Sequence, residues 1–195
     1  MAMENKDFAA FILTHGRADR VFTYQTLRRS GYTGKIYLII DNEDKTAKDY
    51  YDRYGDEVIM FDKKAVADTT DEGDNFDDRR VIIHARNACF EVAQKLGVTY
   101  FVQLDDDYYE FQFRLNHLQE YPIGRFTVKT KLDNLFDILL NFFKATNAKS
   151  IAMSQGGDWI GGGESGFSNY PMKRKCMNSF FCSVDSPFKF VGLVN

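Results

Sequence analysis

Apolar residues run almost unbroken through FAAFILT (8–14), and polar residues then take over until Val21, Tyr24 and Leu27, with Arg28, recur at the spacing of a helix that Gly31 ends. KIYLIID (35–41) is a second apolar, β-branched run. KTAKDYYDRYG (45–55) reads as a second helix stopped by Gly55, and EVIMF (57–61) predicts a third strand that leads into an acidic loop. RRVIIHARNACFEVAQKLG (79–97) places Ile83, Ala88 or Cys89, Val92 and Leu96 on one helical face with Gly97 at its end, and TYFVQL (99–104) predicts a fourth strand. Strand alternating with helix in this way predicts an α/β fold: a mostly parallel sheet with right-handed crossovers, flanked by helices. Ligands of such sheets bind at the carboxyl ends of the strands, where THGR (14–17), DNED (41–44) and DDDYYE (105–110) should converge.

The second half breaks the alternation. A helix at LDNLFDILLNFFKAT (132–146) precedes a strand SIAMSQ (150–155), a loop GGDWIGGGESG (156–166) and two possible strands, NSFFCSVD (178–185) and FKFVGLV (188–194). This order predicts a mixed, partly antiparallel completion of the sheet. The chain shows no internal repeat, and its three prolines mark no linker, so residues 1–195 read as one domain with halves at 1–110 and 111–195.

Composition narrows the picture. With 44% hydrophobic, 15% aromatic and 27% charged residues, the 195-residue chain is globular in character. Its first residues, MAMENKDFAAFIL, lack a signal peptide, and no stretch approaches the roughly 20 apolar residues that cross a bilayer, so a cytoplasmic protein without a membrane partner is expected. Three cysteines without a C-x-x-C pair point to reduced thiols, with Cys89 in the core. The net charge of −3 is uneven: residues 41–78 carry 14 acidic and 5 basic side chains, a local −9, and leave +6 for the rest. That excludes a uniformly basic nucleic-acid surface and still permits a basic patch.

The candidate chemistry centres on Asp105, Asp106 and Asp107. If the chain is extended there, Asp105 and Asp107 point to one side and suit a hard divalent cation, Mn²⁺ or Mg²⁺; the alternative is a solvated acidic turn. His84, Arg86 and Asn87 fall in the first turns of a helix, where backbone N–H groups and the dipole favour an anion and Arg86 adds a planar donor fork. Thr14 and Arg17 follow the first strand and could hold a nucleotide, whereas His15 reads as a loop hydrogen-bonding residue. His15, His84 and His117 share no metal-ligand spacing, and no Walker or G-x-G-x-x-G motif follows the first strand. The acidic run DTTDEGDNFDD (68–78) lacks an EF-hand's closing glutamate and reads as solvated. In the 156–166 loop, six glycines surround Asp158, Trp159 and Glu164, a sugar-binding combination or a plain hairpin. Lys173, Arg174 and Lys175, set between aromatics, suit a single-stranded or flipped-base acceptor, or a solvated loop.

Taken in order, the first strand, IIDNED, HARN and FVQLDDDYYEF resemble a GT-A-fold (Rossmann-like) glycosyltransferase, and more narrowly the phage glycosyltransferases associated with TET-like dioxygenases, which modify hydroxymethylated pyrimidines in DNA. The resemblance runs from Phe8 onward and is strongest over 81–110. It implies a nucleotide-sugar half at 1–110 and an acceptor-side half at 111–195. It also implies a metal-dependent transfer of a hexose from a sugar nucleotide, UDP-linked, to a hydroxyl acceptor in the host cytoplasm. Asp107 would be the metal ligand, and Asp105 would contact the sugar or the metal. Thr14, Arg17, Asp41 and Asp106 would belong to the nucleotide-facing set, with Arg86 at the pyrophosphate or donor sugar. Inverting members carry an acidic pair after the last strand. This chain stops at FVGLVN before such a pair, which raises the expectation of a fragment and leaves Asp158 and Asp185 as base candidates. The competing readings are a nucleotidyltransferase built on the same acidic pair and a nucleotide-sugar-binding module lacking its base.

Overall fold

The computed structural model describes residues 6–71, 82–111, 130–153 and 179–191. Its elements are β1 (Phe8–Leu13), α1 (Phe22–Arg29), β2 (Lys35–Asp41), α2 (Ala47–Tyr54), a 3-10 turn (Gly55–Glu57), β3 (Val58–Phe61), α3 (Lys63–Ala67), α4 (Ile83–Lys95), β4 (Tyr100–Asp105), α5 (Leu132–Ala145), β5 (Ile151–Ala152) and β6 (Ser179–Ser183). The strands form one sheet in the order β3-β2-β1-β4-β6-β5. Neighbours from β3 to β4 are parallel, and β6 is antiparallel to both β4 and β5. The Rossmann-like α/β class and its partly antiparallel completion are therefore present.

Two details depart from the sequence reading. The segment after β3 is a short helix, α3, started by Asp62, whose carboxylate accepts the Ala65 N–H at 3.0 Å. The expected last strand, 188–194, is absent over its described part: residues 187–191 carry no regular structure. FKF alternates like a strand because Phe188 and Phe190 both pack inward, Phe188 on Phe90 at 5.4 Å and Phe190 on Phe180 at 5.0 Å. Burial of alternate rings does not require a hydrogen-bonded ladder.

Strand alternation divides the core into two layers. Phe8, Ala10 and Ile12 of β1, Val102 and Leu104 of β4 and Phe181 of β6 face α5, α1 and Tyr50 of α2. Ala9, Phe11 and Leu13, with Phe101, Phe180 and Cys182, face α4 and its Ala88, Cys89, Val92 and Ala93. Cys89 and Cys182 are buried free thiols, and burial pushes both up in pKa, Cys182 to about 12. On the first layer α5 presents Leu132, Phe136, Leu140 and Phe143 at helical spacing. Its start is tied to the loop before β2 by Asp133, which accepts the Thr33 N–H at 2.8 Å and hydroxyl at 2.7 Å. Among the described residues no helix is long and apolar enough to cross a membrane.

Phe136 is fully buried between Phe8, Tyr32 and Phe181, with ring centroids at 5.8, 5.3 and 5.5 Å. Phe136→Ala should cost about 3–5 kcal/mol in urea unfolding. Phe142→Ala on the exposed side of the same helix should cost less than about 0.5 kcal/mol. Equal costs would mean that α5 docks by another face.

Candidate functional site

After β1 the chain builds outward through β2 and β3, then returns to add β4 on the other side of β1, so the boundary between β1 and β4 is the sheet's topological switch point. Leu13 stands opposite Asp105 in the β1–β4 register, which brings Thr14 beside the aspartates. Alternation then sends the first two aspartates to opposite layers. Gln103 and Asp105 face α4: the Gln103 side-chain amide donates to the Arg86 carbonyl at 2.9 Å, and Arg86 Nη2 donates to Asp105 Oδ1 at 3.1 Å. Asp106 faces the other way and accepts the Thr14 hydroxyl at 2.7 Å and Arg17 Nη1 at 3.4 Å.

Behind this pair lies Tyr50, whose hydroxyl accepts the Arg17 N–H at 2.9 Å and sits 2.8 Å from Thr14 Oγ1. Since Thr14 has one hydroxyl proton and gives it to Asp106, Tyr50 is the donor to Thr14. Burial raises the Asp106 carboxyl above its usual range, and the nearby Asp107 charge adds to this. The Thr14 hydrogen bond and Arg17 oppose it without cancelling it. Asp106 is thus a buried, hydrogen-bonded support for Thr14 and Arg17.

Asp107 differs again. The strand ends at Asp105, and Asp106 and Asp107 lie in a turn, so the extended geometry expected to align Asp105 with Asp107 is not kept; Asp107 is exposed at the carboxyl edge of the sheet. The turn is shaped by α1. The buried Thr23 donates its hydroxyl to the Asp105 carbonyl at 2.6 Å, accepts the Tyr108 N–H at 2.9 Å and gives its own N–H to the Asp106 carbonyl at 3.1 Å. Thr26 adds a hydroxyl bond to the Tyr108 carbonyl at 2.8 Å. Sequence reasoning missed both threonines, because a threonine inside a helical pattern carries no sign of a partner some 80 residues away.

The end of β2 supplies a second polar cluster. Asp41 is buried and accepts His15 Nδ1–H at 2.7 Å, Lys63 Nζ at 3.4 Å and the Glu43 N–H at 3.1 Å. His15 is therefore the loop hydrogen-bonding residue expected. Asp44, not singled out by sequence although it closes DNED, accepts the Gly16 N–H at 2.7 Å and both the N–H and hydroxyl of Thr46. Burial opposes ionisation of Asp44, but those hydrogen bonds and His15 outweigh it and leave its carboxyl below the usual range. Gly16 has φ +70°, a conformation that turns its N–H toward Asp44 at little cost only for glycine.

Of the three α4 candidates, Arg86 reaches the aspartates, at Asp105. His84 is fully buried, and Asn87 turns away from the cleft: its side chain bonds the Phe190 backbone and Thr70. The Arg86 guanidinium lies over the rings of Phe180 at 4.8 Å and Phe190 at 5.7 Å. Asp185 is not brought to this site. Because β6 is antiparallel, Ser183 pairs with Tyr100 at the start of β4, so Asp185 lies beyond the opposite edge, roughly 17 Å of strand from Asp105. Asp158, Trp159, Glu164, His117 and Lys173, Arg174 and Lys175 fall outside the described residues. Among the described residues no group of three or more His, Cys, Asp or Glu side chains is arranged to hold a metal ion.

The structure thus gathers Thr14, Arg17, Asp41, Arg86, Asp105, Asp106 and Asp107 along the carboxyl edge of β1, β2 and β4. No curated protein and no solved structure matches the chain. A family model described as TET-Associated Glycosyltransferase matches residues 8–195, a span containing all of these side chains. The chain belongs to the TET-associated glycosyltransferase family.

Proposed function

We propose that this glycosyltransferase moves a hexose from a UDP-linked donor to a hydroxyl group, with Mn²⁺ or Mg²⁺ at Asp105 and Asp107. The observation that carries the reading is the separation of three successive carboxylates at the switch point: Asp106 is buried as support, while Asp105 and Asp107 are left toward the cleft. Carboxylate oxygens are the donors such an ion takes. A hard divalent cation takes one or two protein carboxylates and fills its remaining positions with phosphate oxygens and water. Such an ion, when bound, would supply charge to stabilise the leaving diphosphate.

The chain's own residues do the rest. Arg86 offers a guanidinium beside Asp105, suited to the donor's phosphates or sugar hydroxyls. Thr14, Arg17 and the Asp41–His15 pair line the path from β1 to β2, where the nucleoside would lie. The ion pairs within this set keep the cleft polar and preorganised, which is what electrostatic stabilisation of a departing diphosphate requires. For the general base, Asp158 is the candidate kept, since Asp185 sits at the far edge of the sheet. In this reading the acceptor is 5-hydroxymethylpyrimidine DNA in a host cytoplasm, as the sequence resemblance implies, and the basic Lys173–Lys175 segment would suit it.

The reaction class can be read from the leaving group. Incubation with Mn²⁺ and either UDP-sugars or nucleoside triphosphates should release UDP from the former; release of pyrophosphate would instead identify a nucleotidyltransferase on the same acidic pair. Labelled donor should mark hydroxymethylcytosine or hydroxymethyluracil DNA and not unmodified DNA. Equal labelling of all three, or of none, would remove the DNA acceptor.

The metal assignment has its own test. Asp107→Ala should abolish the Mn²⁺-dependent tightening of UDP binding in calorimetry and change stability by less than about 0.5 kcal/mol, because it removes an exposed charge. A wild-type affinity that is the same with Mn²⁺ and with EDTA would dismiss the ion.

A further inference from the structure

Arg86 is 4% exposed, so its cation must be compensated inside the protein. Asp105 supplies the opposite charge, and two aromatic faces supply the surroundings. One face, Phe180, is fixed within β6. The other, Phe190, sits in 187–191, where no backbone–backbone hydrogen bond holds the chain among the described residues. Two bonds from one side chain do so instead: Asn87 Oδ1 accepts the Phe190 N–H at 2.8 Å, and Asn87 Nδ2 donates to the Phe190 carbonyl at 2.9 Å. This is the bond pair that a neighbouring strand would make, supplied by a carboxamide 103 residues away. The second Nδ2 proton goes to Thr70 Oγ1 at 3.1 Å, and Lys189 Nζ reaches the Thr69 carbonyl at 2.6 Å, so the same stretch is also anchored beside α3.

We propose that Asn87 is a positioning residue: by clamping the Phe190 backbone it sets the second ring against Arg86 and so holds the guanidinium where it meets Asp105 and a donor diphosphate. The diphosphate part rests on the proposed sugar-nucleotide activity; the clamp itself does not. Asn87 adjoins Arg86 in sequence, yet the two side chains leave the helix in different directions, one to the cation's wall and one to the cleft. Loss of the clamp should let the ring swing out, and a guanidinium that has lost part of its aromatic wall would occupy several orientations. Its electrostatic value to a phosphate falls with that freedom.

The test combines a ligand-free readout with a binding readout on the full chain. Ring currents should shift the Arg86 Nε–H resonance upfield in the ¹H–¹⁵N spectrum of the wild type, assigned by its loss in Arg86→Lys. Asn87→Ala and Phe190→Leu should both return it toward the position of an exposed arginine. Both should weaken UDP binding, with and without Mn²⁺, by roughly the tenfold that one charge-assisted hydrogen bond supplies. Asn87→Ala placed on Arg86→Lys should weaken binding no further. A lowered thermal midpoint with an unmoved Arg86 resonance, or effects that multiply in the double variant, would reduce Asn87 to a stability role. If Asn87→Ala does not fold, an unmoved resonance in Phe190→Leu overturns the proposal equally. A resonance that moves as expected in a protein that binds no UDP keeps the clamp and discards the sugar-nucleotide reading.

Discussion

Three carboxylates in succession at the end of a buried strand repel one another by about 4 kcal/mol for each pair held near 4 Å at an effective dielectric of 20. The fold keeps them in place by sending them apart. Asp105 leaves on the α4 side and meets Arg86, Asp106 leaves on the α1 and α2 side and meets Thr14 and Arg17, and Asp107 stays in solvent on a turn. The first division follows from strand alternation, and the turn after Asp105 accomplishes the second. The helical layers depend on this arrangement as much as the cleft does. The α4 layer meets Asp105 with Arg86 from within the helix, whereas Asp106 is met by Thr14 and Arg17 from the loop between β1 and α1.

The turn is glycine-free, and aspartate, although it favours turns, does not select one tight conformation by itself, so the loop is braced from outside. Thr23 and Thr26 provide the brace from α1, through backbone atoms on both sides of the aspartates. A hydroxyl that donates and accepts at once is economical at a buried position, since it satisfies a carbonyl and an N–H that solvent cannot reach. The α1 helix thus has two tasks on one buried side: Leu27 seals the core, and Thr23 and Thr26 beside it set the backbone of the acidic loop.

Local pattern carried much of this architecture. KIYLIID reads as a strand and is β2 to the residue, and FVQLDDD shows both the end of β4 and the acidic edge. What did not show was pairing over distance. Asn87 reads as an anion-facing residue because it stands in the first turns of a helix, but a carboxamide serves a peptide bond as well as a phosphate, and only the path of the chain after β6 decides. FKF reads as a strand because burial of alternate rings produces the same period with or without a ladder. Asp185 looked available as a base until the antiparallel direction of β6 carried it to the wrong edge. Of Asp41 the residue type was informative and its partners were not, since a histidine from the loop after β1 and a lysine at the start of α3 hold it.

The two buried thiols give the molecule a built-in clock. Cys89 in α4 and Cys182 in β6 belong to the layer that carries Arg86, and burial keeps both protonated far above neutral pH, so neither is a nucleophile in the folded state. An alkylating reagent can modify them only when that layer opens. Their rates of modification then count openings of the α4–β6 seam directly, without a label or a denaturant, and occupancy of the cleft by any ligand that grips Arg86 would register as a slowing of the count.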